Sequence, residues 1–130
     1  MDSEDVRVVI VDDSQDLLDA LSLLLQMDGY SVKTASNTDD ALATIADFEP
    51  VCVLTDIHMN GPEGFELASK LRARYGNDLT LVAVTGWGHE DERVSPAYAM
   101  FDYYLRKPVD MAKFRKLLPP VRPSTPAGAS

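Results

Sequence analysis

The feature that most constrains this chain is an alternation of two periodicities. "VRVVIV" (6–11), "SVKTA" (31–35), "VCVLTD" (51–56), "LTLVAVT" (79–85) and "DYYLRK" (102–107) are short runs with strand character, several of them rich in β-branched residues. Between them, apolar residues return at helical spacing. After the first run, "SQDLLDALSLLLQMDG" sets Leu17, Leu21, Leu24 and Leu25 at that spacing, with Ser14 as N-cap and Gly29 as the stop. "DDALATIADF" carries Leu42, Ile45 and Ala46 on one face and ends before Pro50, and a helix after the turn "NGPEG" has Phe65, Ala68, Leu71 and Tyr75 in step. Residues 89–100 read as a weaker helix, because Pro96 removes a hydrogen-bond donor from its interior. "DMAKFRKLL" reads as the last helix, with Asp110 as N-cap. Strand and helix alternating five times is a (βα)5 pattern. It predicts an α/β fold, a parallel sheet with helices on both faces.

That prediction gives meaning to the strand ends. Open parallel sheets bind ligands at the carboxyl ends of their strands, where the strand order switches. Asp12 and Asp13 end the first strand, Asp56 the third, Thr85 the fourth and Lys107 the fifth. If strands one and three are neighbours, all five side chains line one crevice. A single aspartate there, or Asp13 beside Ser14, is ordinary helix-capping chemistry. Three converging carboxylates are not. Two like charges about 4 Å apart repel by roughly 4 kcal/mol at an effective dielectric of about 20, and one lysine cannot neutralise three acids. Such a cluster calls for a cation. Its candidate ligands are all hard oxygens, which favours Mg2+ or Mn2+ over zinc. Mg2+ held by few carboxylates keeps positions for water and phosphate oxygens. Lys107 and Thr85 suit a phosphoryl group, and an aspartate carboxylate can itself be the nucleophile.

Composition narrows the class further. At 130 residues the chain has room for one domain with a proper core. Its formal net charge of -9 argues against binding nucleic acid through the domain's overall field. Cys52, the sole cysteine, sits in an apolar run and reads as core filler. The N-terminal "MDSED" and the lack of a long apolar stretch suggest neither a leader nor a membrane span, so the expected location is cytoplasmic.

"DD" after strand one, "TDIHMNGPEG" after strand three, "VTGWG" after strand four and "YLRKPV" after strand five resemble the motifs of a response-regulator receiver domain. The resemblance spans residues 5–118 and leaves 119–130, "PPVRPSTPAGAS" with its first proline–proline pair, as a Pro-rich linker or disordered tail. It implies a flavodoxin-like three-layer sandwich whose five-stranded parallel sheet has the order 2-1-3-4-5. It also implies a function: Asp56 takes a phosphoryl group from a phosphohistidine of a histidine kinase or histidine phosphotransfer protein. By the same resemblance Asp12, Asp13, Asp56 and the backbone carbonyl of His58 hold Mg2+, and Lys107 binds the phosphoryl group through a strand end whose bond to Pro108 is commonly cis. Thr85 is the switch hydroxyl and Tyr104 the switch aromatic, acting on the face made by the 89–100 helix, strand five and the last helix. Such a domain assists its own phosphorylation and dephosphorylation without being an enzyme in the usual sense, and phosphorylation can drive homodimerisation.

The sequence also departs from the family. Asn60 stands where a proline usually follows the methionine of the strand-three loop, and Met100 precedes Phe101 where a glycine is usual. "VTGWG" with "YYLRKPVD" is closer to stand-alone receivers and to those of hybrid histidine kinases than to transcription factors. Three other readings compete. A pseudo-receiver acting as a phosphorylation-independent interaction domain is disfavoured by the intact acids, threonine and lysine. An aspartate-nucleophile phosphatase would need a second acid where "DIH" has His58, and a flavin binder would need a phosphate loop after strand one. Among the remaining residues, the ring of His58 reads as a cover over the pocket rather than a ligand, Trp87 as a partner-contact aromatic or a shield, and His89 as a solvated loop residue.

Overall fold

The computed structural model describes residues 6–57, 63–86 and 99–118. Its strands are β1 (Arg7–Val11), β2 (Ser31–Ala35), β3 (Cys52–Asp56), β4 (Thr80–Thr85) and β5 (Tyr103–Arg106). Its helices are α1 (Gln15–Met27), α2 (Thr38–Phe48), α3 (Glu63–Tyr75) and α4 (Met111–Lys116), with a 3-10 turn at Gly76–Asp78. The strands form one parallel sheet in the order β2-β1-β3-β4-β5. This is the flavodoxin-like arrangement.

Side chains alternate across a strand, so each central strand feeds two cores. Val8, Ile10, Cys52, Leu54, Val82 and Val84 point to the layer of α1 and α4, where they meet Leu18, Leu21, Leu25 and Phe114. Val9, Val11, Val53, Leu81 and Ala83 point the other way, to Ala41, Ile45, Leu67, Ala68 and Leu71 of α2 and α3. Cys52 is buried among the first set, and burial pushes its thiol up to about 12, so it is inert filler.

Local signals fix the helix ends. Ser14 Oγ accepts from Leu17 N–H, and Asp110 accepts from the N–H groups of Ala112 and Lys113. Gly29, at φ 98°, lies just past α1 in a backbone region that costs glycine little. Glu49 closes α2 in the left-handed region, at φ 53°, just before Pro50.

The helix registers differ in part from expectation. In α1 the buried stripe is Leu18, Leu21 and Leu25, while Leu17 is half-buried and Leu24 is 42% exposed. In α2, Ala41 is buried and Ala46 exposed. In both cases a run of apolar residues fits more than one helical stripe, and the sheet selects which one turns inward. Gly64 belongs to the first turn of α3 rather than to the preceding turn. Residues 58–62, 87–98 and 119–130, and with them most of the helix expected at 89–100 and the tail, lie outside the described residues.

Candidate functional site

The parallel ladder runs one residue beyond several strand ends and sets them level. Asp12 N–H donates to Ala35 O (3.1 Å), Ile57 N–H to Val84 O (3.1 Å) and Lys107 N–H to Thr85 O (2.9 Å). Because β1 neighbours β3, Asp12, Asp13 and Asp56 converge, each offering a carboxylate oxygen within 4.8 Å of the others. Asp12 and Asp56 are buried, at 3% and 6% exposure, while Asp13 is open to solvent.

Lys107 reaches over the edge from β5. Its Nζ donates to Asp56 Oδ2 at 2.8 Å and stands 3.4 Å from Asp12 Oδ2. The Lys107–Pro108 bond is cis. Partial burial disfavours the ammonium, but the hydrogen bond to Asp56 and the charges of Asp56 and Asp12 outweigh it, so the Lys107 pKa lies above the usual lysine value. Asp12 fares differently. Burial raises its carboxyl, and the Asp56 charge adds to this; the Ser14 N–H, 2.9 Å from Oδ1, and Lys107 offset only part of it. One cation serves two acids, and the more deeply set acid remains uncomfortable when ionised.

The donor set fits a hard divalent cation: Asp12, Asp13 and Asp56 offer oxygen only, and among the described residues Lys107 bridges two of these three carboxylates. Thr85 is fully buried, and its Oγ1 has no hydrogen-bond partner among the described residues. Strand alternation places it on the same sheet face as Tyr104, since Ala83 pairs with Tyr104 and Thr85 with Arg106. Tyr104 packs edge-on against Phe101 (6.4 Å between centroids), and Phe101 against Phe65 of α3 (6.2 Å). Of the residues expected at the site, the structure brings together Asp12, Asp13, Asp56 and Lys107, sets Thr85 at the neighbouring strand end, and places Tyr104 on the same face. His58, Trp87 and His89 lie outside the described residues.

The raised Asp12 pKa carries a sign that can be tested. A carboxyl whose folded pKa exceeds its unfolded value contributes stability fully present below the unfolded value, 3.8, and lost as pH rises through the folded value. Ionised Asp12 is therefore a burden at neutral pH without metal. Asp12→Asn should raise the melting temperature in EDTA at neutral pH, and the gain should shrink as the pH is lowered toward 3.8. A less stable Asn variant at neutral pH would mean that Lys107 outweighs burial.

Residues 8–119 match the family model of the response regulator receiver domain. The chain belongs to that family. The receiver domain is 35% identical over 129 residues to the response regulator MprA of Mycolicibacterium vanbaalenii, covering 96% of this chain and 55% of that protein. It is 31% identical over 112 residues to an uncharacterised 14.6 kDa protein of Leptolyngbya boryana, covering 85% and 86%. Among solved structures it resembles the response regulator TrrA of Thermotoga maritima in complex with Mg(2+)-BeF, with a TM-score of 0.76, 27% identity and coverage of 86% and 95%. The chain spans about half the length of the MprA proteins it matches. No helix among the described residues is long and apolar enough to cross a membrane.

Two features of this receiver domain were not anticipated from sequence. Arg72 of α3 gathers the carbonyls of Met100, Gly76 and Leu79 and the Asp102 carboxylate at 2.7–2.9 Å, and Asp102 also accepts Leu81 N–H. Gly64 lies against the Asp56–Ile57 backbone. Both depend on where the fold brings a backbone atom rather than on a side-chain pattern. Only Gly64, the second glycine of "NGPEG", was visible beforehand, and there it had the look of turn chemistry.

Proposed function

We propose that this receiver domain is the phosphoacceptor of a two-component phosphorelay, with Asp56 as the acceptor and a histidine kinase or histidine phosphotransfer protein as the donor, acting in the cytoplasm. The observation that carries the reading is Asp56 itself. Its carboxylate is buried at the strand end, 2.8 Å from the Lys107 ammonium and grouped with two further acids. The structurally similar TrrA, in complex with Mg(2+)-BeF, supports the same chemistry by analogy.

In this reading an Asp56 oxygen forms a bond to phosphorus while the P–N bond of the phosphohistidine breaks and its electron pair returns to the imidazole nitrogen. Asp12, Asp13, Asp56 and the His58 carbonyl would hold Mg2+, which supplies charge neutralisation for the phosphoryl oxygens. Lys107 offers a second positive charge at the same oxygens. Thr85 Oγ1 is a buried hydroxyl free to turn toward them, and Tyr104 shares its face of the sheet. The acyl phosphate thus brings strong acceptors to a donor with no partner among the described residues, which is a differential interaction able to shift a conformational equilibrium. The responding face would comprise residues 89–100, β5 and α4, and it is the natural place for a phosphorylation-dependent homodimer.

Incubation with acetyl phosphate and Mg2+ should add one phosphate by intact mass, and EDTA should prevent it; no uptake would remove the phosphoacceptor reading. The switch has its own test. Beryllofluoride should move amide resonances across residues 98–116 in the wild type, whereas Thr85→Ala should bind it and confine the shifts to the pocket. Equal long-range shifts in both proteins would mean that the signal bypasses Thr85.

A further inference from the structure

α3 begins by running into the backbone of the acceptor. Gly64, in its first turn, donates its N–H to Ile57 O at 3.2 Å. A Cβ built on Gly64 would stand 2.5 Å from Asp56 O and 2.7 Å from Ile57 O, and closer still to Ile57 Cα. All three obstacles are backbone atoms, so no rotamer change can clear them. Neither side can easily retreat. Ile57 is completely buried in the α2/α3 core, and its N–H is tied to Val84 O at 3.1 Å. α3 is pinned by Leu67, Ala68 and Leu71, all buried in that same core.

We propose that Gly64 is a positioning residue for the acceptor. Its lack of a side chain lets α3 close against the Asp56–Ile57 peptide and holds the Asp56 carboxylate in register with Lys107, Asp12 and Asp13. The proposal rests on the phosphoacceptor reading for its functional effect, though not for its geometry. Any side chain at position 64 pushes on the peptide that carries Asp56. Displacements of about 1 Å in a reacting group cost on the order of a hundredfold in rate. Gly76 supplies a control: at φ 58° it also demands glycine, but a Cβ there would meet nothing within 4 Å.

The test compares Gly64→Ala with Gly76→Ala, both checked for folding by circular dichroism. Gly64→Ala should slow acetyl phosphate labelling at saturating Mg2+ by on the order of ten- to a hundredfold, and should shift the Asp56 and Ile57 amide resonances even without metal. Gly76→Ala should lose thermal stability and keep the wild-type labelling rate. A folded Gly64→Ala that labels at the wild-type rate, or leaves the Asp56 and Ile57 amides in place, would overturn the proposal. If Gly64→Ala does not fold, amide exchange in the wild type decides. Beryllofluoride with Mg2+ should slow exchange at Gly64 and not at Gly76, and unchanged exchange at Gly64 would overturn it. Should the wild type accept neither phosphate nor beryllofluoride, the phosphoacceptor reading fails, while the metal-free shifts at Asp56 and Ile57 still decide whether Gly64 sets that peptide.

Discussion

Asp56→Asn is expected to abolish labelling by acetyl phosphate altogether while leaving the fold intact. Asparagine matches aspartate in size and keeps an oxygen for the Lys107 ammonium, which donates to Asp56 Oδ2 at 2.8 Å. What it loses is the anionic oxygen that bonds to phosphorus, and an amide oxygen at neutral pH is too weak a nucleophile to replace it. Removing one of three clustered carboxylates should also weaken Mg2+ binding, because the site depends on charge as well as geometry. Intact mass after labelling reads the first effect, and a Mg2+ titration followed by amide shifts reads the second. Full labelling of the Asn variant would place the acceptor elsewhere, with solvent-exposed Asp13 the first residue to examine.

Arg72→Ala should cost about 3 kcal/mol of stability. One guanidinium serves three backbone carbonyls and the Asp102 carboxylate, and hydrogen bonds to charged groups are worth about 1.5–3 kcal/mol each before non-additivity is allowed for. The Asp102 end is half exposed and contributes the least. The greater part of the loss comes from carbonyls at Leu79 and Met100 left without their donor. Arg72→Lys should recover only a fraction, since an ammonium cannot span the same fork of acceptors. Urea denaturation of the three proteins measures both numbers. A lysine variant as stable as wild type would mean that charge alone, and not the fork, matters. Because Met100 and Asp102 flank Phe101, the alanine variant should also loosen the Phe65–Phe101–Tyr104 ring contacts.

The strands and the acids at their ends were legible because each depends on local sequence. β-branched runs such as "VVIV" mark strands that are buried on both faces, and an aspartate or lysine after such a run falls at the carboxyl edge of a parallel sheet. The choice between Leu17 or Leu24 and Leu18 was not legible, since "DLLDALSLLL" supports more than one inward stripe until the sheet is present. Arg72 with Asp102 was invisible for a different reason. The partners lie 30 residues apart, and three of the four acceptors are residues chosen by backbone position, not side-chain type. Gly64 carries the same lesson, because a glycine required by a neighbour's backbone looks in sequence like one required by a turn.

The sharing of the pocket among β1, β3 and the end of β5 has a consequence for how the protein is made. Lys107 lies 51 residues from Asp56, and the acids of β1 come earlier still. A chain emerging from the ribosome in order presents its carboxylates first and the lysine last. Until β5 docks on β4, no nascent chain holds the acids together with their cation. On the phosphoacceptor reading proposed above, competence to accept phosphate would coincide with completion of the sheet, and a kinase would find its substrate only among chains in which β5 has docked.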